Sequence, residues 1–345
     1  MLYWLYNRLA LMLRTRIKSI AHYVPKQIVT NDYLTKYMDT SDEWIRERTG
    51  IEERRYADKH NETTSTMGAR AAEKAIAQAG ITKEDVDFII FATLSPDYYF
   101  PGSGVLVQEM LDIPTCPAMD IRNQCSGFIY AISTADQYIK SGMYKNILVI
   151  GSENHSGGLD MTTRGRGVSV IFGDGAGAVV VSREEDLTKG ILSSHLHSEG
   201  KYAEELALIG PSTNRWVPEI LDANDPEDIS YYPNMNGQLV FKNAVVRFSE
   251  VIMEGLKHNN ISPDMIDMLI PHQANLRISQ FVQKKFGLSE NQVYNNIQRY
   301  GNTTAGSIPI ALTEAWQEGK IKEGNIVVLA AFGSGFTWGS TIIRW

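Results

Sequence analysis

Residues 120–133, DIRNQCSGFIYAIS, pass from a short apolar run through a polar turn into an apolar helix. Pro117, Ala118, Met119 and Ile121 read as a buried strand, and Arg122, Asn123 and Gln124 as the turn; Gly127 opens the helix. Phe128, Ile129, Ala131, Ile132, Ala135 and Ile139 cover most of that helix's circumference, which implies burial between other elements. Cys125 therefore stands at a strand-to-helix junction, beside the free N–H groups of a helix start. Those dipoles favour a thiolate, the nucleophilic form, so a lowered thiol pKa is expected. Packing alone accounts for many cysteines, which are among the most buried residues. A catalytic reading needs partners from the rest of the chain.

Moving outward, the chain repeats itself. Residues 81–90, ITKEDVDFII, resemble residues 261–270, ISPDMIDMLI. Residues 127–150 run ungapped against residues 306–329, with Gly127 on Gly306, Thr134 on Thr313 and Asn146 on Asn325. Two fused copies of one α/β unit follow, and alternating strands and helices imply sheets covered by helices on both faces. Strands are expected over Arg16–Pro25, Val86–Leu94, Asn146–Ser152, Val168–Ile171, Gly177–Val181 and Met268–Ile270. Helices are expected from a start capped by Ser41 and over Thr66–Gly80 and Gly104–Leu111. A pseudo-twofold would bring the turn at Cys125 against the turn at Gly301-Asn302-Thr303, where strand ends meet and open α/β sheets bind ligands.

The remaining bulk properties narrow the class. The chain has 345 residues, 43% of them hydrophobic and 21% charged, as ordinary globular proteins do. A formal charge of −7 without any basic block argues against nucleic acid as the partner. Two cysteines make no disulfide framework, which fits a reducing, cytoplasmic setting. MLYWLYNRLALML is too short to span a membrane and lacks a basic leader and cleavage site, so residues 1–15 read as a surface extension, with Met12 an alternative start. No membrane association is expected.

The second copy offers the partners. His272, in PHQANLRI, follows the strand Met268–Ile270 and has a side chain suited to proton chemistry. Asn302 lies in the turn that answers the cysteine turn. In AAFGSGFTWGS, residues 330–340, glycines after a buried strand let backbone N–H groups approach an oxyanion. Other motifs read as structural. His195 and His197, alternating on a strand, are expected to point one to each face, so no metal site is expected. GDGAGA, residues 173–178, lacks the residues of a phosphate loop. Two glycosylation-like triplets, at Asn154 and Asn302, carry no weight in a cytoplasmic protein.

Taken in order, IRNQCSGF, IFGDGAGA, PHQANLRI, YGNTTAGSIPIAL and AFGSGFTWGS resemble the 3-oxoacyl-[acyl-carrier-protein] synthase III family of the thiolase-like superfamily, from about Arg16 to Trp345. The resemblance implies an α/β thiolase-like fold in which two duplicated halves, 16–183 with the nucleophile and 184–345 with the histidine and asparagine, form a five-layer αβαβα sandwich. It implies a Cys125–His272–Asn302 site and an oxyanion hole from the N–H groups of Cys125 and Ser334. Coenzyme A contacts fall on Trp44, Arg48, Arg166, Gly167, Phe241 and Arg277. Phe100 matches the residue that a homodimer partner lends to the acyl pocket. Lys242, Arg277, Lys284 and Lys285 match the dock for an acidic acyl carrier protein; the last three share one helix face, which suits an anionic partner. Implied substrates are an acyl-CoA and a malonyl-acyl-carrier-protein, with no further cofactor.

The implied reaction is a decarboxylative Claisen condensation that initiates fatty acid synthesis. Cys125 takes the acyl group, then His272 and Asn302 donate hydrogen bonds to a malonyl thioester as carbon dioxide leaves. Three departures bear on the substrate: Ser334 stands where the family has glycine, Asn123 and Gln124 where it has small residues, and residues 204–236 are longer than usual. Rival readings are a secondary-metabolite condensing enzyme or acyltransferase on the same fold, a Cys–His–Asn protease whose usual local signature is absent here, and a binding subunit without catalysis.

Overall fold

The computed structural model describes residues 13–210, 212 and 228–345. Residues 1–12 of the expected surface extension, and residues 211 and 213–227 of the long 204–236 stretch, lie outside the described residues.

Up to Glu184 the strands are β1 (Arg14–Tyr23), β2 (Gln27–Thr30), β3 (Glu53–Tyr56), β4 (Phe88–Ala92), β5 (Ala118–Ile121), β6 (Asn146–Glu153) and β7 (Gly175–Glu184). The longer helices among them are α1 (Asp42–Thr49), α2 (Thr64–Gln78), α3 (Ser103–Met110) and α4 (Gly127–Lys140). Beyond Glu184 come β8 (Gly190–Ser198), β9 (Leu206–Ala207), β10 (Asn234–Met235), α5 (Gly237–His258), β11 (Met268–Pro271), α6 (Leu276–Phe286), α7 (Ser307–Gln317), β12 (Ile326–Gly333) and β13 (Thr337–Arg344). Local chemistry starts these elements where the sequence signals them. Ser41 Oγ accepts the Trp44 N–H at 3.1 Å to open α1, and Thr63 and Thr66 form a reciprocal capping box on α2.

The two sheets share one plan. The first runs β1-β7-β6-β4-β5, with β4 parallel to both β5 and β6. The second runs β8-β13-β12-β11, with β11 parallel to β12. Val293 bridges Leu269 in parallel where the first sheet has β5. Between the sheets, Phe128 and Ile132 of α4 and Ile308 and Leu312 of α7 pack on Ile90 and Val149 from one side and Ile270 and Val327 from the other. α2 and α3 cover the outer face of the first sheet, and α5 and α6 that of the second, which completes five layers.

Several expectations need correction. β5 is an edge strand whose Ala118, Met119 and Ile121 are half-buried, because only β4 pairs with it. Its Asp120 accepts the N–H groups of Ser103 and Gly104 and so caps α3. Val168–Ile171 is no strand: Arg166–Ser169 is a helical turn, and Phe172 makes a single bridge to Asn302. His195 and His197 share a face, since residues two apart on a strand point the same way, and both reach Glu254, at 3.2 and 2.6 Å.

The repeat is also shifted by one residue. Asn123 and Thr303 have similar backbones, and their successors Gln124 and Thr304 both take left-handed φ values, 45° and 46°. Cys125 thus corresponds to Ala305, and β6 and β12 begin one residue out of the ungapped match. The same offset holds before and after the helix, so the shift is uniform, although α4 has 14 residues and α7 has 11. Apolar helix positions resemble one another at neighbouring registers, so backbone geometry, not similarity, settles the alignment.

Candidate active site

Cys125 sits in the tight turn between β5 and α4, just after left-handed Gln124, and only 6% of it is exposed. A side chain larger than glycine in that backbone is strained, by about 1–3 kcal/mol for such positions generally. The end of β12 runs directly against the nucleophile. A Cβ added at Gly333 would lie 2.4 Å from the Cys125 Cβ and 2.8 Å from its Sγ, so only glycine fits there. This approach brings the Ser334 N–H to the sulfur, where it joins the N–H of Cys125 itself. Ser126 Oγ and Thr337 Oγ1 lie 2.6 Å apart, and Thr337 Oγ1 donates to the Ser334 carbonyl at 3.1 Å. The nucleophile turn and the 333–335 turn are thereby tied together.

Gly333→Ala is expected to lower the rate of Cys125 acylation by about 100-fold, the scale of displacing a reacting group by roughly 1 Å. Intact-mass kinetics with an acyl-CoA measure it, and acylation at the wild-type rate would show that this approach is unimportant.

The answering turn belongs to the second copy. Asn302 is held through its backbone, its N–H donating to Ile171 at 2.8 Å and its carbonyl accepting from Gly173 at 3.1 Å. Its Oδ1 accepts the Thr304 N–H at 2.8 Å, which leaves the amide NH2 as the end available to a substrate. His272 follows β11, with its N–H donating to Ala330 on β12 at 2.8 Å. Nδ1 of the ring meets Ser307 Oγ at 2.6 Å, while Nε2 is buried and unpartnered among the described residues. The two turns pack closely: a Cβ on Gly127 would lie 3.5 Å from that of Ala305, and one on Gly151 would lie 2.2 Å from the Ala305 carbonyl oxygen. The thiol, the imidazole and the carboxamide thus belong to elements that converge where α4 and α7 begin.

Electrostatics overturn the expected low thiol pKa. Burial pushes the Cys125 thiol up to about 12, and the charge of Glu153 adds to it; the two backbone N–H groups pull the other way without prevailing. Burial also lowers His272 to about 3, so the ring is neutral and offers no cation to a thiolate. The helix start is present as foreseen, but loss of solvent outweighs its dipole. The thiol and the imidazole are therefore both neutral at rest.

The remaining expected positions fall into clusters. Trp44 is flanked by the guanidinium groups of Arg48 at 4.4 Å and Arg166 at 4.9 Å, and the Cα of Gly167 faces open space. Arg277 lies over the Phe241 ring at 5.6 Å. Asn275 Nδ2 donates to the Arg48 carbonyl at 2.8 Å, joining the end of α1 to the start of α6 and so linking the two clusters. Lys242, Arg277, Lys284 and Lys285 are all exposed. Lys285 lines a cleft of about 520 Å³ together with Glu250 and Glu254, which sets it beside acidic side chains. Phe100 is 81% exposed beside Tyr99, on the loop next to edge strand β5.

Four further residues were not singled out for the site in the sequence. Glu153 ends β6 fully buried and accepts from Thr93 Oγ1, the N–H groups of Leu94 and Ser95, Ser95 Oγ and the Ala305 N–H; burial raises it to about 7. His155 Nε2 meets Thr304 Oγ1 at 2.7 Å, and burial lowers its pKa to about 3. Thr304 and Ser307 orient Asn302 and His272. The left-handed Gln124 and Thr304 are the local sign that a special turn stands at each position, and that sign is conformational. Asp174 of GDGAGA accepts the N–H groups of Ala57, His155 and Ser156, the structural role expected of that motif.

Comparison with known proteins agrees with this fold. The family model described as 3-oxoacyl-[acyl-carrier-protein (ACP)] synthase III matches residues 119–200, and its C-terminal counterpart matches residues 256–345. The beta-ketoacyl-[acyl-carrier-protein] synthase III of Shigella flexneri serotype 5b is 47% identical over 330 residues, 96% of this chain and 99% of the relative. That of Escherichia coli K12 is 46% identical over the same span. Among solved structures, the 3-oxoacyl-[acyl-carrier-protein] synthase III of Aquifex aeolicus VF5 has a TM-score of 0.87 at 43% identity, covering 96% of this chain and 100% of that one. The priming beta-ketosynthase of the R1128 polyketide pathway has a TM-score of 0.86 at 27% identity, covering 96% of each chain.

Proposed function

The chain belongs to the 3-oxoacyl-[acyl-carrier-protein] synthase III family, and from that premise we propose that it joins an acyl group taken from coenzyme A to a malonyl group on acyl carrier protein, as the first condensation of fatty acid synthesis. It is an acyltransferase that needs no cofactor, the coenzyme A thioesters being substrates. The observation that carries the reading is the facing pair of turns, one with Cys125 and the other with the orienting partners of Asn302 and His272. The main reading is favoured over a polyketide role by the higher identity of the fatty acid relatives.

In the first stage Cys125 sulfur attacks the thioester carbonyl while the N–H groups of Cys125 and Ser334 hold the developing oxyanion; the bond to the coenzyme A sulfur then breaks, and coenzyme A departs as the thiol with the proton that Cys125 gives up. One such donor is worth about 3 kcal/mol. Stabilisation grows only as charge appears, which is how a thiol of high resting pKa is brought into reaction. In the second stage His272 and Asn302 donate to the malonyl thioester oxygen as carbon dioxide leaves, and the resulting carbanion attacks acyl-Cys125. The electron pair of the broken bond to the carboxylate stays on the carbanion and forms the new carbon–carbon bond, and the cysteine leaves as thiolate and takes a proton from solvent.

The pieces around this centre have assigned roles in the same proposal. Residues 16–183 carry the nucleophile and 184–345 the histidine and asparagine. Two copies pair through the exposed edge of β5, each lending Phe100 to the other's acyl pocket. Trp44, Arg48, Arg166, Gly167, Phe241 and Arg277 receive coenzyme A, and Lys242, Arg277, Lys284 and Lys285 the carrier protein. Among the described residues no helix is long and apolar enough to cross a membrane, and we place the protein in the cytoplasm.

Incubation with a panel of acyl thioesters, followed by weighing the adduct on Cys125 and measuring carbon dioxide from a malonyl thioester, tests the reading. Peptide cleavage, or acylation without carbon dioxide release, would replace it with one of its rivals. Trp44→Ala is expected to raise KM for acyl-CoA about tenfold with little change in kcat, the size of one lost stacking contact. An unchanged KM would remove Trp44 from the coenzyme A site.

A further inference from the structure

The neutral His272 ring carries one proton, and whichever nitrogen holds it decides whether the substrate meets a donor or an acceptor. Nδ1 lies 2.6 Å from Ser307 Oγ, and the same Oγ lies 2.9 Å from the Thr304 carbonyl. One hydroxyl proton therefore has two acceptors within reach. The Thr304 carbonyl already receives the backbone N–H of Ser307, so it is satisfied without the hydroxyl. The Gln273 N–H approaches Ser307 Oγ at 3.4 Å, filling an acceptor position on the hydroxyl and turning its proton outward. Nδ1, the closer acceptor, has no other partner among the described residues.

We propose that Ser307 is a positioning residue: its hydroxyl donates to Nδ1 and holds His272 as the Nε2–H tautomer, so that the ring faces the substrate as a donor. This rests on the condensing-enzyme reading above. No protein atom among the described residues takes the buried Nε2–H, which leaves it available to a thioester oxygen. The turn from Thr304 to Ser307 orients both donors, its Thr304 N–H engaging Asn302 Oδ1 and its Ser307 hydroxyl engaging His272 Nδ1.

Nitrogen-15 NMR of the full-length enzyme, with labelled histidine and the His272 signal assigned by its loss in His272→Gln, reads the tautomer directly. The expected result is a proton on Nε2 in the wild type and on Nδ1 in Ser307→Ala. In Ser307→Ala, malonyl decarboxylation should fall about 100-fold, the scale of losing one oxyanion donor, while Cys125 acylation changes by less than about threefold. Ser307→Thr, which keeps the hydroxyl, should restore the Nε2–H signal. A wild-type proton on Nδ1 overturns the proposal, and that spectrum decides even if the variants fail to fold. An equal loss of both half-reactions in Ser307→Ala with the tautomer unchanged also overturns it. Wild-type enzyme that releases no carbon dioxide would sink the condensation reading instead, whatever the tautomer.

Discussion

Cys125→Ala takes up no acyl group from acyl-CoA, and condensation falls on the order of a million-fold, as expected when a nucleophile is removed from a cooperating set. The donors of the second stage are untouched in this variant, so slow loss of carbon dioxide from a malonyl thioester persists. Both readings come from one preparation, the first by intact-mass spectrometry and the second by trapping the gas. A variant that still forms a covalent acyl adduct would move the nucleophile elsewhere. The same thiol has a pH signature. Burial and the Glu153 carboxylate raise its pKa to about 12, so the thiolate fraction grows tenfold per unit across the neutral and moderately alkaline range. Alkylation by iodoacetamide should therefore keep accelerating beyond pH 9, where an ordinary cysteine levels off. A plateau near pH 7 would mean that the turn favours the thiolate after all.

Asn302→Asp changes one atom type and has the second large effect. The carboxylate still accepts the Thr304 N–H that now binds Oδ1 at 2.8 Å, so the turn is preserved. What is lost is the NH2 donor, and a negative oxygen takes its place beside an enolate that is itself becoming negative. Malonyl decarboxylation is expected to fall by roughly 100- to 1,000-fold or more, while acylation of Cys125 by acyl-CoA, which needs only the sulfur and its two N–H groups, survives. Stopped-flow acylation and carbon dioxide release separate the two stages. Equal loss in both would show that Asn302 supports the fold of the site rather than the second stage.

Periodicity and local chemistry were sufficient for much of the architecture. The apolar runs of β4, β6 and β12 announced central strands, and Phe128, Ile132 and Ile139 announced a helix buried over most of its circumference. Ser41 marked a helix start because its hydroxyl fits the free N–H groups there. Where reasoning along the chain went astray, the deciding contact was distant. β5 reads as buried from its composition, yet it has a neighbour on one side only. Val168–Ile171 looks extended, but its partner across space is the turn at Asn302, and a single bridge does not make a strand.

The order of Cys125, His272 and Asn302, the places of Cys125 and His272 after strands, and the duplication of the α/β unit were all present in the amino-acid sequence. Solvent exclusion depends on the whole fold, and only the tertiary structure decided it. Sealing the site between two sheets drives the thiol pKa up and the imidazole pKa down, against the local pull of a helix start. It also brings Glu153, 152 residues distant in the chain, to the Ala305 N–H, and the end of β12 to the sulfur. Charge and hydrogen bonding act through space, so the chemistry of this site is set by residues that the chain order keeps far apart.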